Sequence, residues 1–111
     1  MDYKTDILDT GEKLYEVWIG KNAKSNETII RLSDQHDLWF HLDGISSPHI
    51  ILRTNGDTIH KRFINQVALK LFDYKTNVPR KTKVIYTTVN NIKLTKTIGT
   101  VITSNIKTIR F

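Results

Sequence analysis

In DLWFHLDGISSPHIILR, residues 37–53, a tryptophan, two of the four histidines, two serines and two aspartates fall close together. These residue types can do several kinds of chemistry. His41 and His49 with Asp43 could form a two-histidine, one-carboxylate metal site. Ser46 or Ser47 with His49 and Asp43 could form a hydrolytic triad. Trp39, His41, His49 and Arg53 could offer flat rings beside a cation, which is what a base-stacking surface needs. The same rings could also be core.

The spacing weakens the first two readings. No further ligand is fixed by position, because His36 and His60 lie off the strands. A nucleophile, base and orienting acid rarely reach triad geometry within one tight loop, and the G-x-S-x-G elbow is missing. The glycines are scattered, so they form no phosphate-cradling loop. We therefore expect no catalytic residue, no metal and no cofactor. A nucleic-acid surface and a buried core stay open for Trp39 and its neighbours.

Alternation along strands sorts these side chains into two faces. Leu38, Phe40, Leu42, Ile50 and Leu52 share one face. Asp37, Trp39, His41, His49, Ile51 and Arg53 share the other. With a loop at 43–47, His41 faces His49, Trp39 faces Ile51 and Asp37 faces Arg53. This register pairs opposite charges across the strands and keeps the first face wholly apolar.

The flanking elements follow from pattern. Residues 1–13 read as a lead-in. LYEVWIG, 14–20, reads as a strand with Tyr15, Val17 and Ile19 opposed to Glu16 and Trp18. KNAKSNETIIRLSDQ reads as a short helix capped by Asn22 or Ser25, with Ile29, Ile30 and Leu32 buried. Asn55–Asp57 reads as a turn. A longer helix then covers 58–75, capped by Asp57 or Thr58. Ile59, Phe63, Ile64, Val67, Ala68, Leu71 and Phe72 form its apolar stripe, and Lys61, Arg62, Gln66 and Lys70 its polar side. Pro79 stops it. KVIYTTV is a strand, NNIKLTKT a partly extended connection, IGTVITS a strand, and IKTIRF its hairpin partner through Ser104 and Asn105. The expected class is α+β. A mostly antiparallel sheet carries two helices on one face, in the order β-α-β-β-α-β-β-β.

At 111 residues the chain fits one domain, 14–111 after the lead-in. It has no cysteine and no long apolar run, and its first residues are polar and acidic. These features point to a cytoplasmic protein without a membrane partner. The net charge of +6 is unevenly spread. Residues 1–57 carry six Lys/Arg against ten Asp/Glu, and residues 58–111 carry eleven against Asp73 alone. A basic half implies attraction to a polyanion, most often nucleic acid. An AT-rich source, such as a giant virus or a protist, would also inflate Lys, Asn and Ile.

GKNAKSNE at 20–27 followed by DLWFHLDGISSPHIILR resembles the NFACT-R domain family. There a Gly-Lys/Arg-Asn segment precedes an Asp-x-Trp-x-His strand and a Ser-His-containing strand. The helix at 58–75, KVIYTTV and IGTVITSNIKTIRF resemble the family's later pieces, in order. The family occurs in the large multidomain protein of ribosome-associated quality control. It also occurs in a small stand-alone group resembling coiled-coil domain-containing protein 25, to which the SS-x-H loop is more similar. Two departures stand out: Pro48 replaces a small residue before the histidine, and the stand-alone group's C-terminal coiled coil has no counterpart here. The motif positions are Gly20, Lys21, Asn22, Asn26, Asp37, Trp39, His41, Ser47, His49 and Arg53.

The resemblance implies a non-enzymatic module that binds nucleic acid, RNA ahead of DNA, with rRNA or tRNA and the ribosome as partners. A protein-docking module is the alternative. The expected nucleic-acid contacts are Lys21, Lys24, Arg53, Lys61, Arg62, Arg80, Lys81 and Lys83 for phosphates, with Asn22 as a further contact position. Trp39, His41 and His49 would supply shape or stacking. Either a monomer or a dimer is compatible with the sequence.

Overall fold

The computed structural model describes residues 2–111. A six-stranded antiparallel sheet forms its centre, in the order β1-β2-β4-β3-β5-β8. The strands are β1 Lys4–Asp9, β2 Leu14–Ile19, β3 Leu38–Leu42, β4 Ile50–Leu52, β5 Val84–Thr88 and β8 Lys107–Ile109. A separate hairpin joins β6 Ile92–Leu94 to β7 Val101–Thr103. The helices are α1 Ala23–Leu32 and α2 Lys61–Tyr74.

The predicted register holds. Leu38, Trp39 and Phe40 pair with Leu52, Ile51 and Ile50. Both faces of the sheet are apolar, which decides the architecture. Val17, Ile19, Phe40, Leu42, Ile50, Leu52 and Val84 meet Val67, Ala68 and Leu71 of α2 on one face. Trp18, Trp39 and Ile51 meet Ile29 and Ile30 of α1 on the other, with Ile92, Leu94 and Val101 of the hairpin packed against them. Each fully enclosed aliphatic side chain contributes roughly 1.5–3 kcal/mol.

The helices therefore lie on opposite faces, not on one. A second apolar row containing two tryptophans has to be covered as well. Among the described residues, no helix is long and apolar enough to cross a membrane.

Other expectations change in detail. Residues 4–9 of the lead-in form edge strand β1, tied to α2 by Lys70 Nζ and Asp6 Oδ2 at 2.7 Å. The connection at 92–94 is strand β6. The closing strand does not pair with β7; β8 adds to β5 at the sheet edge. Leu32 ends its helix largely exposed. Helix α2 starts later than expected, at Lys61, and His60 caps it by accepting the Arg62 N–H at Nδ1 (3.1 Å). Asp57 is occupied elsewhere, accepting from Lys13 Nζ at 2.6 Å and the Tyr15 hydroxyl at 2.8 Å.

Candidate nucleic-acid interface

Of the motif residues, Gly20, Lys21, Asn22, Asn26, Trp39 and His41 form one connected framework around His49. Asn22 caps α1, its Oδ1 accepting the Ser25 N–H at 2.9 Å, and the Ser25 hydroxyl accepts the N–H groups of Lys21 and Asn22. One helical turn on, Asn26 is buried and its Oδ1 accepts the His49 N–H at 3.1 Å. The Gly20 N–H in turn donates to the His49 carbonyl at 2.9 Å. Gly20 has to be glycine for reasons of space, since a Cβ there would sit 1.9 Å from Asn26 Oδ1. Gly20→Ala is expected to displace Asn26, strand the buried His49 N–H and cost about 1–3 kcal/mol, measured by denaturant unfolding.

Three rings meet next to this framework. Trp39 is 1 % exposed, and its indole N–H donates to His49 Nδ1 at 3.1 Å. His41 stacks on Trp39 at 5.6 Å between centroids, and His49 meets His41 edge to face at 5.0 Å. His41 Nδ1 lies against the Leu42 carbonyl. Burial pulls the His41 imidazole below its ordinary range, although the Leu42 carbonyl and the Asp43 carboxylate act the other way. Burial, with His41 second, pulls His49 down to about 3. Both rings are therefore neutral near pH 7.

The rings have different surroundings. Trp39 borders the same cleft but is almost wholly enclosed, so it leaves little surface for stacking and serves to anchor His49. His41 and His49 form part of the wall of an open cleft of about 710 Å³. The start of α1 (Lys21, Asn22, Asn26) and the β3–β4 loop (Ser46 to His49) contribute to the cleft, as do Tyr74 and Lys75 at the end of α2. The β6–β7 turn closes one side. There Gly99, at φ +76°, lies so close to α1 that a Cβ would come within 2.7 Å of Ala23. Lys21 and Lys75 are the charged residues lining the cleft, and no carboxylate does so among the described residues.

The other expected contacts divide. Arg53 is committed inside the fold: its Nε meets Asp37 Oδ2 at 2.6 Å and its guanidinium lies 4.3 Å over the Trp18 ring. It is not a free phosphate ligand. Lys24, next to Lys21, is exposed. Arg80 and Lys81 are exposed on the loop before β5, and the half-buried Lys83 accepts the Asp43 N–H at its carbonyl. Lys61 and Arg62 are exposed but start a helix of 14 residues. That puts them about 20 Å from Lys75 at its far end. Ser47 is not poised as a nucleophile, because its hydroxyl donates to the Pro48 carbonyl at 2.9 Å and accepts the Leu42 N–H at 3.1 Å.

Pattern reading missed Tyr74, Lys75 and the turn 98–100. An aromatic–cation pair ending an amphipathic helix was the available signal for the first two.

Coiled-coil domain-containing protein 25 of Bos taurus is 30% identical over 87 residues, covering 73% of this chain and 42% of that protein. Its counterpart in Danio rerio is 39% identical over 46 residues, covering 40% and 22%. The chain thus spans less than half the length of these relatives. The solved C-terminal structure of the fibronectin/fibrinogen-binding protein from Streptococcus suis matches with a TM-score of 0.81 at 20% identity. That match covers 99% of this chain and 45% of the other, and it shows a shared fold. The family described as NFACT protein RNA binding domain matches residues 4–105. The chain belongs to that family and is, at the level the family establishes, a nucleic-acid-binding module.

Proposed function

We propose that the domain binds RNA without catalysing a reaction on it, and that the cleft between α1, the β3–β4 loop and the β6–β7 turn is where the chain is held. The observation that carries this reading is the charge of the cleft. Lys21 and Lys75 line it with no carboxylate among the described residues, in a member of a family described as RNA-binding. Lys24 and, beyond the β3–β4 loop, Arg80 and Lys81 extend the positive potential that would track a phosphate backbone. The resemblance to the ribosome quality-control protein makes rRNA and tRNA the first ligands to test.

The test is a binding titration against single-stranded and structured RNA, with DNA as comparison, at several salt concentrations. Affinity should fall as salt rises, by roughly 0.7 in log K per log salt for each phosphate contacted on a single strand. Lys21→Glu with Lys75→Glu should weaken binding about tenfold or more and flatten that slope by roughly 1.4. Lys61→Glu with Arg62→Glu, at the far end of α2, should cost less. Binding that ignores both salt and the Lys21/Lys75 pair would refute the reading.

A further inference from the structure

The two histidines of the cleft carry a hydrogen-bonding code that follows from their fixed partners. An indole N–H can only donate, so His49 Nδ1, which receives the Trp39 N–H, holds a lone pair. A neutral His49 therefore has its proton on Nε2. A carbonyl can only accept, so His41 Nδ1 carries the proton that points at Leu42 O. A neutral His41 therefore has a bare Nε2.

Neither Nε2 bonds to another described residue, and both rings line the cleft. The fully buried side-chain polar atom left without a partner among the described residues is Asn65 Oδ1, which is elsewhere. The two Nε2 atoms consequently open on the cleft as one donor and one acceptor, on rings 5.0 Å apart. His49 is 3 % exposed and locked by Trp39, Asn26 and Gly20, so this pair is preorganised.

We propose that the cleft takes one unstacked nucleobase, held by its hydrogen-bonding edge between the His49 Nε2 donor and the His41 Nε2 acceptor. The proposal rests on the RNA-binding reading and adds to it which part of the polymer the cleft recognises. Every nucleobase presents a donor beside an acceptor on an edge, so this pair reads the presence of a base rather than its identity. A cleft of about 710 Å³ is of the size that ligand sites usually have, with room for a base and its ribose. Lys21 and Lys75 on its walls suit the flanking phosphates. Recognising RNA through splayed-out bases is the usual route to single-stranded segments, because base edges in an A-form helix are hard to reach.

The experiment compares a short single-stranded RNA with an abasic ribose-phosphate chain of the same length and charge, using the whole chain at low salt. His41→Ala serves as the test variant because it removes the acceptor while leaving the His49–Trp39 bond and the fold's anchors intact. The wild type should bind the base-bearing chain at least tenfold more tightly than the abasic one. His41→Ala should lose most of that discrimination while keeping its affinity for the abasic chain. Ring nitrogen resonances of His41 and His49 should shift on adding nucleoside monophosphates and not on adding ribose 5-phosphate, a readout that needs no variant. If wild type binds both chains equally, or His41→Ala discriminates as well as wild type, the base proposal is overturned and backbone RNA binding stands. If neither chain binds, the RNA-binding reading itself fails, and the proposal with it.

Discussion

Asp37→Ala is expected to lower the unfolding free energy by about 3–5 kcal/mol, a large part of what a domain of this size possesses. Asp37 is completely buried and serves three segments at once. One carboxylate oxygen accepts the Thr54 N–H at 2.9 Å, just beyond β4. The other accepts Arg53 Nε at 2.6 Å and the Asp34 N–H at 2.9 Å, closing the turn into β3. Alanine leaves those two N–H groups without their acceptor. It also leaves Arg53, stacked on Trp18, with only the longer ion pair to Asp34, 3.4 Å away.

The expected behaviour of a double variant separates the charge from the backbone work. Removing both members of a buried ion pair is often nearly neutral, because neither charge is then stranded. Asp37→Leu with Arg53→Met should nevertheless recover only part of the loss, since Thr54 and Asp34 still lack an acceptor. Urea unfolding of the two variants and wild type measures both quantities. A loss below about 1 kcal/mol for Asp37→Ala, or full recovery in the double variant, would overturn this account.

Asp37 also shows what could be read from the sequence and why. The charge pair Asp37–Arg53 and the strict alternation of Leu38, Phe40 and Leu42 are local facts. Together they identify the β3–β4 register, because a one-residue slip would break the charge pair and mix the two faces. What the sequence lacks is information about which distant element arrives. β8 and β7 are both short alternating strands, and nothing in IKTIRF says that it pairs with β5 and not with its neighbour.

The cap of α2 shows the same limit. Asp57 is a better capping residue type than His60, yet Lys13 and Tyr15, from the first hairpin, take its carboxylate. At the site, the motif positions were legible, but their division of labour was not. Trp39, Asn26, Gly20 and Asp37 hold the framework, and His41 and His49 face the cleft. That division depends on α1 and the β6–β7 hairpin closing over the second face.

Acid should destabilise the protein well before its carboxylates are protonated. His49 is held at about 3 in the folded chain, by burial first and His41 second, against about 6.5 when exposed. A depressed folded pKa means that the unfolded chain takes up the proton first as pH falls. The stabilisation from a neutral His49 is thus complete above about pH 6.5 and is lost progressively towards pH 3. One proton corresponds to about 1.4 kcal/mol per pH unit, so His49 alone accounts for about 2–3 kcal/mol between pH 6.5 and 4.5.

His41 is shifted in the same direction, also by burial, and adds to the loss. Asp6 and Asp57 are lowered mainly by their lysine partners, Lys70 and Lys13. Their contribution disappears only as pH falls through the ordinary carboxylate range, near 4, and below it. The window from 6.5 to 4.5 therefore belongs to the histidine pair. Denaturant unfolding at half-unit intervals should show a steady decline there, and His49→Gln should flatten most of it even though that variant starts from a lower stability. In the folded wild type the His49 ring resonances should stay constant from pH 7.5 to 4.5. A His49 that titrates near 6.5, or a stability that is level across the window, would mean that burial and His41 do not hold the ring neutral as the geometry requires.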